Sequence, residues 1–251
     1  MSKPFQHPTV QFETRYTYDF IQRHLPSECR SILEIGCGSG ELAARLSKDG
    51  YSVVAIDSDA DAVAVARALG VDAHVATWPD FERGQCDAVL FTRSLHHIHP
   101  LAESLKHAAE SLSKSGVIIV EDFAYESADE KTLRWFASAI RFLEATGALT
   151  VSDVLRNEVL SKTETLSAWR QNHEEELHTA AEIEAHLGKV LGHVTSENAA
   201  YYFRYIASAI AVTEKREAIL QAFAEQEETL ATNGCVVALG RRFVAKAQNS
   251  A

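Results

Sequence analysis

The chain has 251 residues, of which 46% are hydrophobic, enough to bury the core of one large domain and too many for a disordered protein. Asp and Glu number 35 against 24 Lys and Arg, which gives a net charge of −11. This balance disfavours a protein that holds nucleic-acid phosphates, because such binding usually needs a basic face.

The N-terminal residues predict a helix. The segment 12–20 is rich in aromatic side chains, and Tyr16, Phe20 and Ile21 have the spacing of one helical face. We expect this face to pack on a sheet. We place a helical segment at 1–29, ahead of a main domain at 30–251.

A glycine-rich turn follows the first predicted strand, Ser31–Ile35. Glu34 lies near the end of that strand, and glycines then occupy alternate positions 36, 38 and 40. Glycine lets the backbone adopt positive φ or approach a ligand closely. The spacing Gly-x-Gly-x-Gly differs by one residue from the Gly-x-Gly-x-x-Gly fingerprint of dinucleotide-binding proteins. We expect a tight turn into a helix that begins near Glu41.

A second strand–helix unit strengthens this interpretation. Residues 52–56 form an apolar run, and Asp57 stands at its end, about where nucleotide-binding sheets place the acid that holds a ribose. The sequence 58–61 has the pattern of a capping box and predicts a helix over 62–68. Glycines after the first strand and an acid after the second predict a nucleoside site.

The remaining elements alternate and then become helical. We predict strands at 73–76, 88–91 and 117–120, with a helix at 101–113 between the last two. Helical periodicity then dominates residues 126–178, which we interpret as a cap inserted over the carboxyl edge of the sheet. A helix at 180–191, β structure at 193–205, a helix at 214–230 and a final strand at 235–245 complete the prediction. Within 201–205 we expect alternating aromatics on a strand.

The segment Glu34-Ile35-Gly36-Cys37-Gly38-Ser39-Gly40 resembles motif I of the class I S-adenosylmethionine-dependent methyltransferases. The resemblance covers roughly residues 30–122. It implies an α/β three-layer Rossmann-like sandwich with a seven-stranded, mostly parallel sheet and an antiparallel last strand. It also implies S-adenosylmethionine as cofactor and S-adenosylhomocysteine as product.

The resemblance assigns a set of residues to the cofactor. Asp57 would accept hydrogen bonds from the ribose hydroxyls, and Trp78 would either stack on the purine or pack between loop and helix. The family often places an Asp near Ala76 for the adenine amino group, a position this sequence fills differently. The full set of candidate cofactor residues is Glu34, Gly36, Cys37, Gly38, Gly40, Asp57, Ser58, Ala76, Thr77, Trp78, Arg93, Ser94 and Tyr16.

Glu34, Tyr16 and two acids outside this set carry specific expectations. Glu34 would hold the loop N–H groups or the cofactor's amino group, and we expect neighbouring donors to lower its pKa. Tyr16 would approach the methionine carboxylate if the N-terminal helix folds over the cofactor as a lid, as in many members of the family. Glu121 and Asp122, at the end of strand five, would bind a cationic group, act as a base, or lie in solvent.

The segment 87–98 resembles motif IV and the turn after it. His96 and His97 are candidate general bases, because the pKa of histidine suits proton removal near neutral pH. The alternative is that one of them caps or packs under the helix, or binds the cofactor without exchanging protons. The neighbouring histidines at 96, 97 and 99 have no accompanying acid or cysteine cluster, so we predict no metal site.

These signals predict an S-adenosylmethionine-dependent methyltransferase acting on an oxygen, nitrogen or carbon atom of a small organic molecule. The alternatives are a methyltransferase acting on RNA or protein, a nicotinamide-dependent oxidoreductase, and a non-catalytic partner subunit with the same fold. The glycine spacing and the antiparallel closing strand argue against the oxidoreductase.

The cysteines and the N-terminal residues indicate the cellular compartment to expect. Cys29, Cys37, Cys86 and Cys235 form no Cys-x-x-Cys pair, so neither a zinc site nor a disulfide framework is indicated. We find no signal-peptide pattern and no apolar run of transmembrane length. We expect a cytoplasmic monomer or homodimer without membrane or nucleic-acid partners.

Overall fold

The computed structural model describes residues 8–149, 166–171, 177–211 and 213–247. In these residues seven strands form one sheet. The strands are β1 Ser31–Ile35, β2 Ser52–Asp57, β3 Asp72–Val75, β4 Cys86–Thr92, β5 Leu112–Phe123, β6 Val194–Ala199 and β7 Gly240–Lys246. Their order in the sheet is β3-β2-β1-β4-β5-β7-β6.

Pairing in the sheet changes direction only at the end of the chain. Strand β1 pairs in parallel with β2 on one side and β4 on the other, and β4 continues in parallel with β5. Strand β7 lies antiparallel between β5 and β6. The strand order reverses between β1 and β4, and ligands of such sheets bind at that switch point. The predicted mostly parallel sheet with an antiparallel last strand is confirmed.

Helices cover the sheet and its carboxyl edge. They are α1 Pro8–His24, α2 Glu41–Lys48, α3 Ala60–Ala68, α4 Leu101–Glu110, α5 Glu130–Ala145, α6 Leu166–Gln171, α7 Ala180–Leu191, α8 Tyr202–Ala207 and α9 Arg216–Thr232. Single 3₁₀ turns occur at Leu95–His97 and Tyr125–Ser127. None of these helices is long and apolar enough to cross a membrane.

Alternate residues of the strands face two separate cores. One face packs against α1, α2 and α3, with Phe20 and Ile21 of α1 fully buried. The other face packs against α4 and α7, with Leu105 and Leu187 fully buried. This is the predicted three-layer arrangement. Helix α1 lies partly in the core of the main domain, through Phe20 and Ile21, and partly at the edge of that domain. The lid role of the N-terminal segment stays a prediction.

A third apolar cluster lies apart from the two sheet faces. It joins α5, α6, α8 and α9 through side chains such as Phe136, Trp169, Tyr202 and Phe223. Helix α5 lies within the region 126–178 for which helical structure was predicted, and residues 150–165 and 172–176 of that region lie outside the described residues.

The predicted aromatic strand at 201–205 is wrong, because Tyr202–Ala207 is helix α8. Burial explains the difference. Tyr202 and Phe203, which are neighbours in sequence, are both fully buried, and a two-sided strand would have separated them. Glu227 of α9 accepts hydrogen bonds from the backbone N–H groups of Tyr201 and Tyr202, at 2.7 and 2.9 Å, and caps the helix.

Candidate active site

A cavity of about 780 Å³ lies at the carboxyl ends of β1, β2 and β4. It occupies the switch point of the sheet, where a parallel sheet offers its strand-end loops to a ligand. Helix α1 borders it on one side. The candidate cofactor residues in its wall are Glu34, Gly36, Cys37, Gly38, Asp57, Ser58, Ala76, Thr77, Trp78, Arg93 and Ser94.

The glycine loop is held against the end of β2. The N–H groups of Gly36 and Cys37 both donate to the carbonyl oxygen of Ile56, at 2.8 and 3.0 Å. Gly36 has a φ of 74°, and a Cβ at this position would collide with Ser94. Gly40 is the N-cap of α2, lies close to Ala66 and is not among the residues that line the cavity, so its cofactor contact stays a prediction.

Asp57 joins the glycine loop to the second strand–helix unit. Its Oδ2 atom accepts a hydrogen bond of 2.8 Å from the Gly38 N–H, and Oδ1 accepts one of 2.9 Å from the Asp59 N–H. A carboxylate has about four acceptor positions, so these two bonds fix its orientation and leave capacity for ligand hydroxyls. The side chain lies in the cavity wall, as the ribose prediction requires.

The segment after β3 forms the far end of the cavity. The indole Nε1 of Trp78 donates to the Ser104 carbonyl oxygen at 3.1 Å, and its ring centroid lies 4.5 Å from that of His107. Thr77 donates its hydroxyl to Asp80 at 3.0 Å. Trp78 is 7% exposed, so it packs between loop and helix and presents only part of its surface to the cavity.

Glu34 is the most perturbed group in the wall. Its side chain is buried, Thr92 donates to its Oε1 at 3.2 Å, and Oε2 has no hydrogen-bond partner among the described residues. Burial raises the pKa of this carboxyl to about 8. The expected lowering is wrong, because burial outweighs the lowering of the pKa by the Thr92 hydroxyl, Arg93 and the Ala43 N–H, and the loop N–H groups donate to Ile56 and Asp57.

Arg93 connects the cavity to strand β5. It has a φ of 63°, a left-handed conformation that is uncommon for a residue other than glycine. Its backbone N–H donates to the Glu121 carbonyl oxygen at 2.7 Å, and its Nη1 lies 3.8 Å from Glu121 Oε1. Among the described residues of the wall it is the only Arg or Lys. Ser94 donates its hydroxyl to the Ile35 carbonyl oxygen at 2.6 Å.

The two candidate histidines occupy different environments. His96 is 6% exposed and lies outside the cavity wall, with Nδ1 2.6 Å from Oδ1 of the buried Asp122. His97 is exposed and forms part of the wall together with Ile98 and His99. The alternative of a packed histidine therefore fits His96, and His97 is the member of the pair that the structure places beside the cavity.

A model of the family described as "Methyltransferase domain" matches residues 11–178, about two thirds of the chain. The chain belongs to this methyltransferase family. Members use S-adenosylmethionine as methyl donor. The wall of this methyltransferase's cavity fits that group, because an unpartnered buried carboxylate oxygen on Glu34 and the clamped carboxylate of Asp57 suit an ammonium and a pair of ribose hydroxyls.

Curated relatives of this methyltransferase match only part of it. A ubiquinone biosynthesis O-methyltransferase of Azoarcus sp. (strain BH72) is 33% identical over 111 residues, covering 39% of this chain and 46% of that protein. A putative methyltransferase of Geobacillus sp. (strain WCH70) is 42% identical over 118 residues, covering 41% of this chain and 47% of that protein. The chain therefore spans about half the length of the curated relatives it matches.

Solved structures resemble it over nearly its full length. The plantazolicin methyltransferase BpumL, in complex with S-adenosylhomocysteine, has a TM-score of 0.55 and 18% identity, covering 96% of this chain and 84% of that one. Phosphoethanolamine N-methyltransferase 2 of Haemonchus contortus, in complex with S-adenosylmethionine, has a TM-score of 0.56 and 14% identity, covering 97% and 58%. At these identities the likeness shows the fold.

Helix α1 contributes residues to this methyltransferase site that the sequence did not single out. Glu13, Thr14 and Thr17 line the cavity. Tyr16, the predicted contact, points elsewhere: its hydroxyl donates to Glu228 at 2.6 Å and accepts from the Ala200 N–H at 3.0 Å. Glu13 and Thr17 are four residues apart and share one face of α1, but the sequence does not indicate that this face turns to the cavity.

Glu121 is a structural residue of the methyltransferase, neither solvated nor free for substrate. Arg204 lies 2.6 Å from its Oε1 and Arg242 lies 2.7 Å from its Oε2, and Thr17 donates to Oε1 at 2.6 Å. Burial alone would raise the pKa of Glu121, but Arg204, Arg242 and Arg93 together lower it to about 2. This network ties α1 to β5 and β7 beneath the cavity.

Proposed function

We propose that this chain transfers a methyl group from S-adenosylmethionine to an oxygen, nitrogen or carbon atom of a small organic molecule. The supporting observation is Glu34, a buried carboxyl with an unpartnered oxygen in the wall of a cavity at the strand ends. Burial keeps this carboxyl largely neutral, and a cation beside it would stabilise its ionised form. The cofactor, which carries both an ammonium and a sulfonium, would supply that partner.

The wall divides into two ends with different chemistry. At one end Asp57 would accept hydrogen bonds from the ribose, while Ala76, Thr77 and Trp78 border the adenine. At the other end Glu34 would bind the ammonium, and Arg93 would bind the carboxylate of the methionine portion. The glycine loop lies between them and allows close approach of the ligand to the backbone.

Bound S-adenosylmethionine supplies an activated methyl group on its sulfonium. The protein's own residues then align the acceptor, exclude water and, for a weakly acidic acceptor, remove a proton. His97 is the candidate histidine that borders the cavity, so it is the histidine we assign to the acceptor. His96, held beside Asp122, would position the turn that carries His97.

The cavity has the size of a small-molecule site, and it would hold the cofactor together with the acceptor. A volume of about 780 Å³ falls within the range of about 300–1,000 Å³ usual for small-molecule sites. The wall carries the carboxyls of Glu13, Glu34, Glu41 and Asp57 against the single guanidinium of Arg93. These carboxyls would repel a polyanion such as RNA. A small-molecule acceptor is therefore preferred to the nucleic-acid alternative.

Calorimetry with S-adenosylhomocysteine tests the cofactor site. We expect wild-type protein to bind it, and Asp57→Ala to weaken binding at least about tenfold, because hydrogen bonds to a charged group contribute about 1.5–3 kcal/mol. The matched control is Asp61→Asn, an exposed acid in the first turn of α3. Equal affinity in Asp57→Ala and wild type would contradict the ribose assignment.

Activity needs a separate measurement. Incubation with labelled S-adenosylmethionine and a metabolite extract should place label in small organic products. If the protein binds S-adenosylhomocysteine and yet labels nothing in the extract, that result contradicts the proposed activity and favours the non-catalytic alternative.

A further inference from the structure

The end of the cavity where an acceptor must enter lies between α1 and the turn after β4. Asp57 and Trp78 mark the nucleoside end, on the β2 side of the sheet. On the β4 side the wall consists of Arg93, the segment His97–His99, and Glu13, Thr14 and Thr17 of α1. Thr17 donates to Glu121 of β5, which fixes α1 over the β4–β5 end. This end is therefore opposite the nucleoside end.

Glu13 is the acid at this end with no cofactor role. Its side chain is 25% exposed, and its nearest cation is Nη1 of Arg204 at 3.9 Å, beyond hydrogen-bond distance. Arg204 already forms an ion pair with Glu121 at 2.6 Å, so its electrostatic attraction to Glu13 is weak. Burial raises the pKa of Glu13 from its usual value, with Arg204 and Arg93 acting in the opposite direction.

Carboxyls outnumber guanidinium groups in the cavity wall, and the two arginines that act on Glu13, Arg204 and Arg93, both also face Glu121. The guanidinium of Arg93 lies 3.8 Å from Glu121. In the proposed function its other N–H groups bind the methionine carboxylate. Glu34 is buried beside the methionine end, and Glu41 lies in the same wall. Glu34 and Arg93 would match the zwitterionic amino-acid portion and the sulfonium would supply one further positive charge, so the carboxyls of Glu13, Glu41 and Asp57 still outnumber the remaining cation.

We propose that the acceptor is a small primary or secondary amine, and that Glu13 binds its nitrogen and takes its proton. The assignment rests on the proposed methyltransferase function. The ammonium form of the amine gives one proton to the Glu13 carboxylate. The freed lone pair on nitrogen forms the new N–C bond as the C–S bond of the sulfonium breaks, and the electron pair of that bond remains on sulfur.

Binding of matched probes to protein saturated with S-adenosylhomocysteine tests this charge preference. Benzylamine, benzyl alcohol and benzoate share one skeleton and differ in charge, and ligand-observed NMR measures their affinities. We expect benzylamine to bind at least tenfold more tightly than benzoate. Equal or tighter binding of benzoate, or absence of benzylamine binding, overturns the proposal.

Variants of Glu13 separate an acceptor role from a cofactor or structural role. Glu13→Gln should weaken benzylamine binding at least tenfold while it changes S-adenosylhomocysteine affinity less than twofold, and Glu13→Asp should restore part of the amine affinity. The control is Glu217→Gln, which removes an exposed acid that pairs with Arg15 on the outer side of α1 at 2.6 Å. Loss of cofactor affinity in Glu13→Gln, or unchanged amine affinity, contradicts the assignment.

Methyl transfer distinguishes this inference from the function on which it rests. Labelled S-adenosylmethionine is supplied with equimolar amines, alcohols and carboxylic acids of matched skeletons. Label in the amines, reduced at least tenfold by Glu13→Gln, supports the inference. Label chiefly in the alcohols or acids overturns the amine assignment alone, whereas failure of wild-type protein to bind S-adenosylhomocysteine overturns the proposed function.

Discussion

Replacement of Glu34 by Gln should remove a proton release that accompanies cofactor binding. The carboxyl of Glu34 is buried and its pKa is about 8. One pH unit corresponds to a tenfold ratio of protonation states, so at pH 7 about nine in ten molecules of free protein hold Glu34 neutral. An ammonium pairs with the carboxylate, and the neutral acid must therefore lose its proton when the cofactor binds.

The magnitude follows from this pKa. At pH 7 ionisation of Glu34 costs about 1.4 kcal/mol, which lowers apparent affinity about tenfold. Because the cost shrinks as pH approaches the pKa, wild-type affinity for S-adenosylhomocysteine should rise about tenfold between pH 6 and pH 7. Binding at pH 7 should release about 0.9 proton. Glu34→Gln should show neither the rise nor the release.

Calorimetry in two buffers of different ionisation enthalpy measures the protons released. Two controls identify their source. The ligand 5′-methylthioadenosine retains the nucleoside and the sulfur and lacks the amino-acid portion, so it should bind without proton release. The variant Asp61→Asn changes an exposed acid and should behave as wild type. Equal proton release in Glu34→Gln and wild type, or release on binding of 5′-methylthioadenosine, would refute the reasoning.

Three further substitutions separate the cofactor wall from the scaffold behind it. Gly38 has a φ of 53° and open space where a Cβ would lie, so Gly38→Val strains the backbone and adds bulk beside Asp57. Calorimetry should show that this variant binds S-adenosylhomocysteine at least tenfold more weakly. Unchanged affinity would place the glycine loop outside the site. Glu121→Gln leaves Arg204 and Arg242 buried without their anion, so urea unfolding at pH 7 should show a loss of about 3–5 kcal/mol in unfolding free energy. Since the pKa of Glu121 falls from 4.5 to about 2 on folding, its stabilisation is present above pH 4.5 and disappears as pH falls toward 2, so the gap between variant and wild type should narrow in acid. Tyr16→Phe removes the hydrogen bonds to Glu228 and Ala200 and should lower the free energy of unfolding by about 1 kcal/mol. Cofactor affinity should stay within twofold of wild type. A larger loss of affinity would indicate that Tyr16 contacts the cofactor.

The strands around the site could be predicted from sequence because their signals are local. Strand β1 has the predicted bounds, Ser31–Ile35, and β2 extends one residue past the prediction, to Asp57. Buried parallel strands are continuous apolar runs, and both runs end at a polar residue or a glycine. The glycine loop and Asp57 then lie together at the carboxyl edge of the sheet, since neighbouring parallel strands end on the same side.

The error at Tyr201–Tyr205 has a non-local cause. A run of five mostly aromatic residues fits a strand or a short helix equally well, and periodicity alone does not separate the two. The stabilising partner is Glu227, about 25 residues further along the chain, which accepts from the N–H groups of Tyr201 and Tyr202. Its capping bonds form only after α9 has packed against α8.

The α1 side of the site was also beyond local reasoning. The aromatic residue Tyr16 was the natural candidate for a ligand contact, yet its neighbours Glu13 and Thr17 border the cavity. Which face of α1 turns to the cavity depends on how Phe20 and Ile21 dock into the sheet core and on the bond from Thr17 to Glu121. Both are tertiary contacts between distant segments.

Glu34 and Glu121 show how burial and charge together distinguish a ligand site from scaffold. Both carboxyls lie at the carboxyl edge of the same sheet and both are fully buried. Glu121 has Arg204 and Arg242 as partners and a pKa of about 2, whereas Glu34 has one hydroxyl donor and a pKa of about 8. Burial is common to the two, and Arg93 lowers the pKa of both, so the difference comes from the direct contacts of Glu121 with Arg204, Arg242 and Thr17. A cation beside Glu34 would do for it what the arginines do for Glu121. Glu34 lines the cavity, so we expect a bound ligand to supply that cation.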